Sequence, residues 1–147
     1  MNKKHILNSL SIILTIFIVY MLYTQYERRF LRKFAYNIVN EEILYKDIIH
    51  NQLLCDEKSK ETTKFFLSFY RQNYKKDTNF IYVVSNNEVL FFSKIFGFNY
   101  NLVQEGDGLI YFIFINGNTF PVLINEQNKI IAISTMQKGK NVYFIKM

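Results

Sequence analysis

Glu88-Val89-Leu90-Phe91-Phe92-Ser93-Lys94-Ile95-Phe96 is the stretch on which the fold turns. Just upstream, Phe80-Ile81-Tyr82-Val83-Val84 is a short β-branched and aromatic run between polar residues, the pattern of a buried strand. If 88–96 is a strand, it returns antiparallel through Asn86-Asn87. If it is a helix that Gly97 caps, the strands on either side are separated and an α/β sheet becomes possible. Further on, Leu109–Ile115 reads as a strand and Asn116-Gly117 as a turn. Val122-Leu123-Ile124 and Ile130-Ile131-Ala132-Ile133 flank Asn125-Glu126-Gln127-Asn128, which predicts a second hairpin. Lys138-Gly139-Lys140 turns the chain once more before Val142–Ile145.

Working towards the N-terminus, Ser59 is placed to cap a helix with Glu61 in its first turn. Phe65, Phe66, Phe69 and Tyr70 then fall on one stripe, predicted to be core, and Lys75-Lys76-Asp77-Thr78 ends the helix. Residues 41–54 carry apolar doublets that fit neither the helical nor the strand period. Residues 27–39 predict a basic helix whose Phe30, Leu31, Phe34 and Ile38 share a face, with Asn40 as the break.

Ile6 to Tyr26 contains no charged residue. As a helix it rises roughly 31 Å, the hydrocarbon thickness of a bilayer. Ser11 and Thr15 can return their hydroxyls to the preceding turn. Tyr20, Tyr23 and Tyr26 suit a headgroup level at one end, and Lys3 and Lys4 mark the other. No small-residue cleavage site follows, so the run predicts an uncleaved, single-pass signal-anchor over residues 1–26. A basic juxtamembrane helix over 27–40 and a domain over 41–147 complete the expected organisation. Arg28, Arg29, Arg32 and Lys33 would join Lys3, Lys4 and the three tyrosines at the lipid interface, each cation contributing about 1 kcal/mol. Counting Lys and Arg keeps the domain in the cytoplasm, whereas the very short N-terminal tail favours export. The expectation adopted is an extracytoplasmic domain.

The net charge of +6 is not a nucleic-acid signature, because Lys3 and Lys4 supply part of it and most of the remaining excess borders the apolar run. Expected partners are a lipid bilayer and an unknown protein, with no nucleic acid. Cys55 is the only cysteine, which excludes an internal disulfide. His5 and His50 are far apart without ligand-spaced Cys or acid partners, so neither a metal nor a cofactor is expected. His50 reads as a surface residue. Nucleotide-binding glycine loops and hydrolase or metalloprotease signatures are absent from the sequence.

From Cys55 onward the order of elements resembles membrane-tethered thioredoxin-like proteins of the thiol–disulfide and redoxin type. The residues that carry the likeness are Cys55 before a helix ending near Tyr74, Asn79-Phe80-Ile81-Tyr82-Val83-Val84, Phe91–Tyr100, and Asn118-Thr119-Phe120-Pro121-Val122-Leu123-Ile124-Asn125 through Lys129-Ile130-Ile131-Ala132. The resemblance spans about residues 43–136. It implies a small α/β thioredoxin-like domain, with Cys55 as the first family cysteine and a cis peptide at Pro121 lining a substrate site with Phe120. The second family cysteine falls at Lys58, so the dithiol is missing and Cys55 could form a mixed disulfide without resolving it. Lys58 and Lys60 would favour a Cys55 thiolate; Asp56 and Glu57 oppose it. The bland alternatives are a merely tolerated cysteine and a trans proline in an edge strand.

Two functions follow. The first is an anchored thioredoxin-like module without dithiol oxidoreductase activity, acting as a monothiol or as a partner-binding domain. The alternative is a non-catalytic interaction or structural subunit of a membrane assembly, with an α+β domain of helices followed by an antiparallel meander. That architecture requires 88–96 to be a strand, and a helix there ends it. A hydrolase or transferase is a distant third, since no nucleophile–base pair can be placed.

Overall fold

The computed structural model describes residues 3–74, 80–96, 102–103, 108–115, 117–138 and 141–147. The elements, in chain order, are α1 (Lys3–Val39), α2 (Tyr45–Gln52), α3 (Lys60–Asn73), β1 (Ile81–Ser85), α4 (Asn86–Phe96), β2 (Leu102–Val103), β3 (Leu109–Ile115), β4 (Asn118–Ile124), β5 (Ile130–Lys138) and β6 (Asn141–Lys146). The strands form one sheet in the order β1-β3-β4-β5-β6-β2. Every pairing from β1 to β6 is antiparallel, and only the two-residue β2 runs parallel, against β6. The chain is therefore α+β.

This corrects the thioredoxin-like α/β expectation. Its central parallel strand should have run into Cys55, but residues 45–52 are helix, and the segment meets the sheet through an isolated parallel bridge between Leu53 and Ile130, with the Leu54 N–H donating to the Ile130 carbonyl at 2.8 Å. Polar residues within 48–54 explain why: Gln52 is buried, but as the partner of Asn37 from α1 rather than as part of a strand. The meander alternative fails at its own decisive point, because 86–96 is helical. β1 pairs instead with β3, with Ile81 opposite Ile115 and Ser85 opposite Tyr111.

The long helix α1, of 37 residues, runs without a break from the apolar stretch through the basic helix expected over 27–39. Its second half is core: Leu31, Phe34, Ala35 and Ile38 are fully buried and Val39 nearly so. These positions recur at three and four residues, so they share one face, which packs on the sheet beside α2 and α3. Val83, Ile113, Ile115, Phe120, Val122 and Ile124 supply the sheet side of that core. A smaller cluster of Ile110, Phe112, Leu123 and Ala132 lies on the opposite face, against Val89 of α4.

Among the described residues, no helix is long and apolar enough to cross a membrane. This overturns the single-pass anchor over residues 1–26 and the extracytoplasmic placement drawn from it. Within the described side chains of α1, the apolar run from Ile12 to Leu22 gives way to Thr24, Gln25, Glu27 and Arg28, whose polar and charged groups lower the mean hydropathy of the segment that contains them.

The core of α3 also differs from the expected stripe. Thr63, Leu67 and Tyr70 are buried, whereas Phe65 and Phe69 are 65% and 49% exposed. In each aromatic doublet only one ring can face the sheet, and Phe66 and Tyr70 take that side. Arg71 ties α3 to the end of α1: its Nε donates to the Ile38 carbonyl at 2.6 Å, and its Nη2 reaches the carbonyls of Asn37 and Ile43. The same guanidinium stacks 4.2 Å over the Tyr45 ring. A cation from another helix thus satisfies carbonyls at the C-terminus of α1.

The hairpin readings locate their turns well. Gly117 adopts φ +83° between β3 and β4. Asn125 Oδ1 accepts from the backbone N–H groups of Gln127 and Lys129, and Asn128 takes φ +57°. The expected helix end at 75–78, the cap at Gly97, Asn116, and the turn residues 139–140 lie outside the described residues.

Replacing Phe34 with Ala should lower folding stability by about 3–5 kcal/mol, through lost burial and a residual cavity. Phe65→Ala should change it by no more than about 0.5 kcal/mol. Denaturant midpoints of the two variants measured side by side test this. Similar losses for both would show that the core stripe has been misplaced.

Candidate functional site

Polar groups converge where β1 ends and α4 begins. Ser85 and Glu88 form a reciprocal cap: Glu88 Oε2 accepts from the Ser85 backbone N–H at 2.8 Å and from its hydroxyl at 2.9 Å, and Ser85 Oγ lies 3.4 Å from the Glu88 N–H. Serine three residues before glutamate, just ahead of an apolar run, is the capping-box signature. That signal is legible in Ser85-Asn86-Asn87-Glu88 and favours the helix over the hairpin that a turn at Asn86-Asn87 would make.

The other oxygen of Glu88 accepts from Arg28 Nη2 at 2.6 Å, so α1 is tied to α4 across 60 residues of sequence. Burial pushes the Glu88 carboxyl up. The Ser85 backbone N–H, the Arg28 guanidinium and the Ser85 hydroxyl outweigh it and hold the group below the ordinary carboxylate range. One position earlier on α1, Glu27 is fully buried and accepts a hydrogen bond from the Tyr111 hydroxyl of β3.

Around these groups lies a groove of about 610 Å³. Tyr20, Met21 and Thr24 of α1 form one wall, Phe91 and Phe92 of α4 another, and Gly108–Tyr111 the floor. Asn86 and Arg28 sit at its polar end. Among the described residues, Asn86 Oδ1 and Arg28 Nε are shielded from water and find no hydrogen-bond partner. The polar end of the groove therefore adjoins a trough walled by Tyr20, Met21, Phe91 and Phe92.

Gly108 matters to that floor. Its φ is +153°, and a Cβ there would meet the Ile124 carbonyl oxygen at 2.7 Å and a Leu123 methyl at 2.9 Å. Only glycine lets the chain enter β3 so close to β4.

Cys55 lies elsewhere. It is half-buried in the loop before α3, five residues ahead of the first helical residue, with Sγ 3.4 Å from both the Asp56 carbonyl and Thr63 Oγ1. Asp56 is engaged nearby: hydrogen bonds from Ser59 hold its carboxyl below its usual range. Phe120 points into the core and stacks on Tyr70 at 4.5 Å and on Tyr74 at 5.8 Å, near the C-terminal end of α3. Thr63 and Tyr70 are about 10 Å apart along that helix, so Cys55 and Phe120 are not brought together.

No peptide bond among the described residues is cis, so Pro121 is trans. It pairs with Phe112 of β3 and precedes Leu123, where β5 first registers with β4. The registered pairs of β4 with β5 begin only at Leu123, so Pro121 lies ahead of that ladder, where a proline is tolerated. Burial pushes the Tyr70 phenol up, with Tyr74 adding to the effect, and its hydroxyl donates to the Ile133 carbonyl at 2.6 Å.

Of the residues expected at a lipid interface, Tyr20, Tyr26, Arg29, Arg32 and Lys33 are exposed on α1, while Arg28 is turned inward to Glu88. The side chains of Lys3, Lys4 and Tyr23 lie outside the described residues. His50 is exposed on α2. Among the described residues no cluster of His, Cys, Asp and Glu could hold a metal ion. No protein-family model, curated protein or solved structure matches this chain.

Removing the Tyr111 hydroxyl with Tyr111→Phe takes a donor from a buried carboxylate and should cost about 1–3 kcal/mol at pH 7. Glu27→Gln in the same background should recover part of that loss, as read by denaturant midpoints. Glu88→Gln should cost about 0.5–1 kcal/mol, because the ion pair is partly exposed. The folded-state pKa of Glu88 is depressed, so its contribution is fully present above its ordinary value of 4.5 and fades as the pH falls through the lower folded value. Midpoints of wild type and variant should therefore converge in acid; a gap that widened there would contradict the assigned interaction.

Proposed function

We propose that this chain is a non-catalytic interaction module that works against a lipid surface, using the first half of α1 as its contact. The observation that carries this reading is exposure. Ile12, Ile13, Leu14, Ile16, Phe17, Ile18, Val19, Tyr20, Met21 and Leu22 are each between 44% and 66% exposed, on every side of the helix. A helix apolar all round is normally covered by an apolar environment. At about 1 kcal/mol apiece, roughly half a full burial, covering ten such side chains supplies on the order of 10 kcal/mol gross.

Charge selects lipid over a purely apolar protein partner. Arg29, Arg32 and Lys33 follow the apolar stretch in an exposed row, placed to meet anionic headgroups for about 1 kcal/mol each. Burial outweighs this electrostatic part several-fold, so attachment should survive added salt. Surface association is sufficient, and nothing in the proposal requires a crossing helix.

The interaction reading drawn from the sequence depended on a strand over 88–96, and that support is gone; the exposed half of α1 replaces it. The α+β domain then presents its remaining surface to a protein partner. A monothiol role for Cys55 has only its half-buried position in its favour.

Flotation of the full chain with phosphatidylcholine vesicles, with and without phosphatidylglycerol, tests the proposal. The chain should float with both, more completely with the anionic mixture, and still float in 0.5 M NaCl. Leu14→Asp/Phe17→Asp should reduce the floated fraction at least tenfold while leaving the near-ultraviolet circular dichroism of the domain unchanged. A chain that stays at the bottom of the gradient as a defined oligomer would assign the stretch to self-association and overturn the lipid reading.

A further inference from the structure

We infer that α4 is a second lipid-contacting element, entering the same surface as the first half of α1; this rests on the lipid-surface reading above. Phe91, Phe92 and Ile95 are 62%, 46% and 57% exposed, and Leu90 is 37% exposed. At 100° per residue, Phe91, Phe92 and Ile95 fall within one stripe about 100° wide that also contains Glu88, and Val89, next to Phe92 around the helix, packs against the sheet. Most of the apolar surface of α4 therefore stays exposed beyond its contact at Val89.

Position links this face to α1. Phe91 and Phe92 line the same groove as Tyr20 and Met21, so the aromatic face of α4 stands beside the end of the exposed apolar stretch. The Arg28–Glu88 pair and the Ser85 cap fix that placement, since Glu88 occupies the first turn of α4. Glu88, at the start of the same stripe, is also the only acidic residue in α4, and both its oxygens are engaged, one by Arg28 and the other by Ser85. Lys94 is exposed among the apolar residues and can extend its ammonium to a headgroup while its stem lies along the apolar surface. An apolar stripe bearing a cation and no free acid matches an anionic lipid surface.

Single cysteines introduced into full-length protein with Cys55→Ser give the test. Bimane is attached at Leu14→Cys, Ile95→Cys, Phe91→Cys or, as a water-exposed reference, Glu126→Cys. Each protein is mixed with phosphatidylcholine–phosphatidylglycerol vesicles carrying nitroxide-labelled lipid. The expected result is at least twofold quenching at 14, 91 and 95 and none at 126. Quenching at 14 with positions 91 and 95 behaving like 126 would overturn the role of α4 and leave the lipid-surface reading standing. Absence of quenching at 14 as well would remove both. An emission blue shift at 91 and 95 without lipid-borne quenching would assign the face to a second copy of the chain and equally overturn the inference.

Discussion

One uninterrupted helix carries the whole arrangement. In α1 the buried face of Leu31, Phe34, Ala35 and Ile38 is continuous with a stretch whose described apolar side chains stay largely exposed. The two halves cannot be satisfied by one environment. Packing the C-terminal half against α2, α3 and the sheet leaves the N-terminal half projecting as an apolar rod. A helix is stiff over a few turns, so the direction of that rod is set by how its other end is packed.

The changeover between the halves is held by polar contacts rather than by apolar packing. Glu27 turns inward to Tyr111 of β3, and Arg28 reaches Glu88 of α4. Their neighbours Arg29, Arg32 and Lys33 turn outward. A buried carboxylate is costly without partners, so the Glu27–Tyr111 contact couples the register of α1 on the sheet to a hydroxyl only the folded state supplies. Arg71 plays the matching part at the other end, where it binds carbonyls from the end of α1 and the loop beyond. The helix is thus gripped near Glu27 and near Ile38, with the apolar face between them.

Seen from these contacts, the groove beside Arg28 is a product of topology. β1 ends at Ser85, α4 departs at once, and Gly108 brings the chain back into β3 close to Ile124. Parts of α1, of the β1–α4 junction and of the start of β3, far apart in sequence, meet at that corner. The region around Cys55 has no comparable convergence: Thr63 and the Asp56 carbonyl are its polar neighbours, and the ring of Phe120 is committed to the aromatic stack with Tyr70 and Tyr74.

The sequence by itself determined the local structure. The face of residues 30–38, the strand near 80–84, the turns at Gly117 and Asn125–Asn128 and the cap of α4 all follow from period, turn chemistry and short-range hydrogen bonding. The capping box over Ser85–Glu88 is a signal of this short-range kind, and it selects helix over strand for 88–96. Only the tertiary structure decided which strand β1 pairs with, which ring of each α3 doublet enters the core, and whether Pro121 faces a site or a sheet edge. Pairing and burial depend on groups dozens of residues away, and a period of two or 3.6 carries no information about which distant face will meet it. The likeness between residues 43–136 and a thioredoxin-like order of elements failed for that reason: the succession of helices and strands does not fix the direction in which strands lie beside one another.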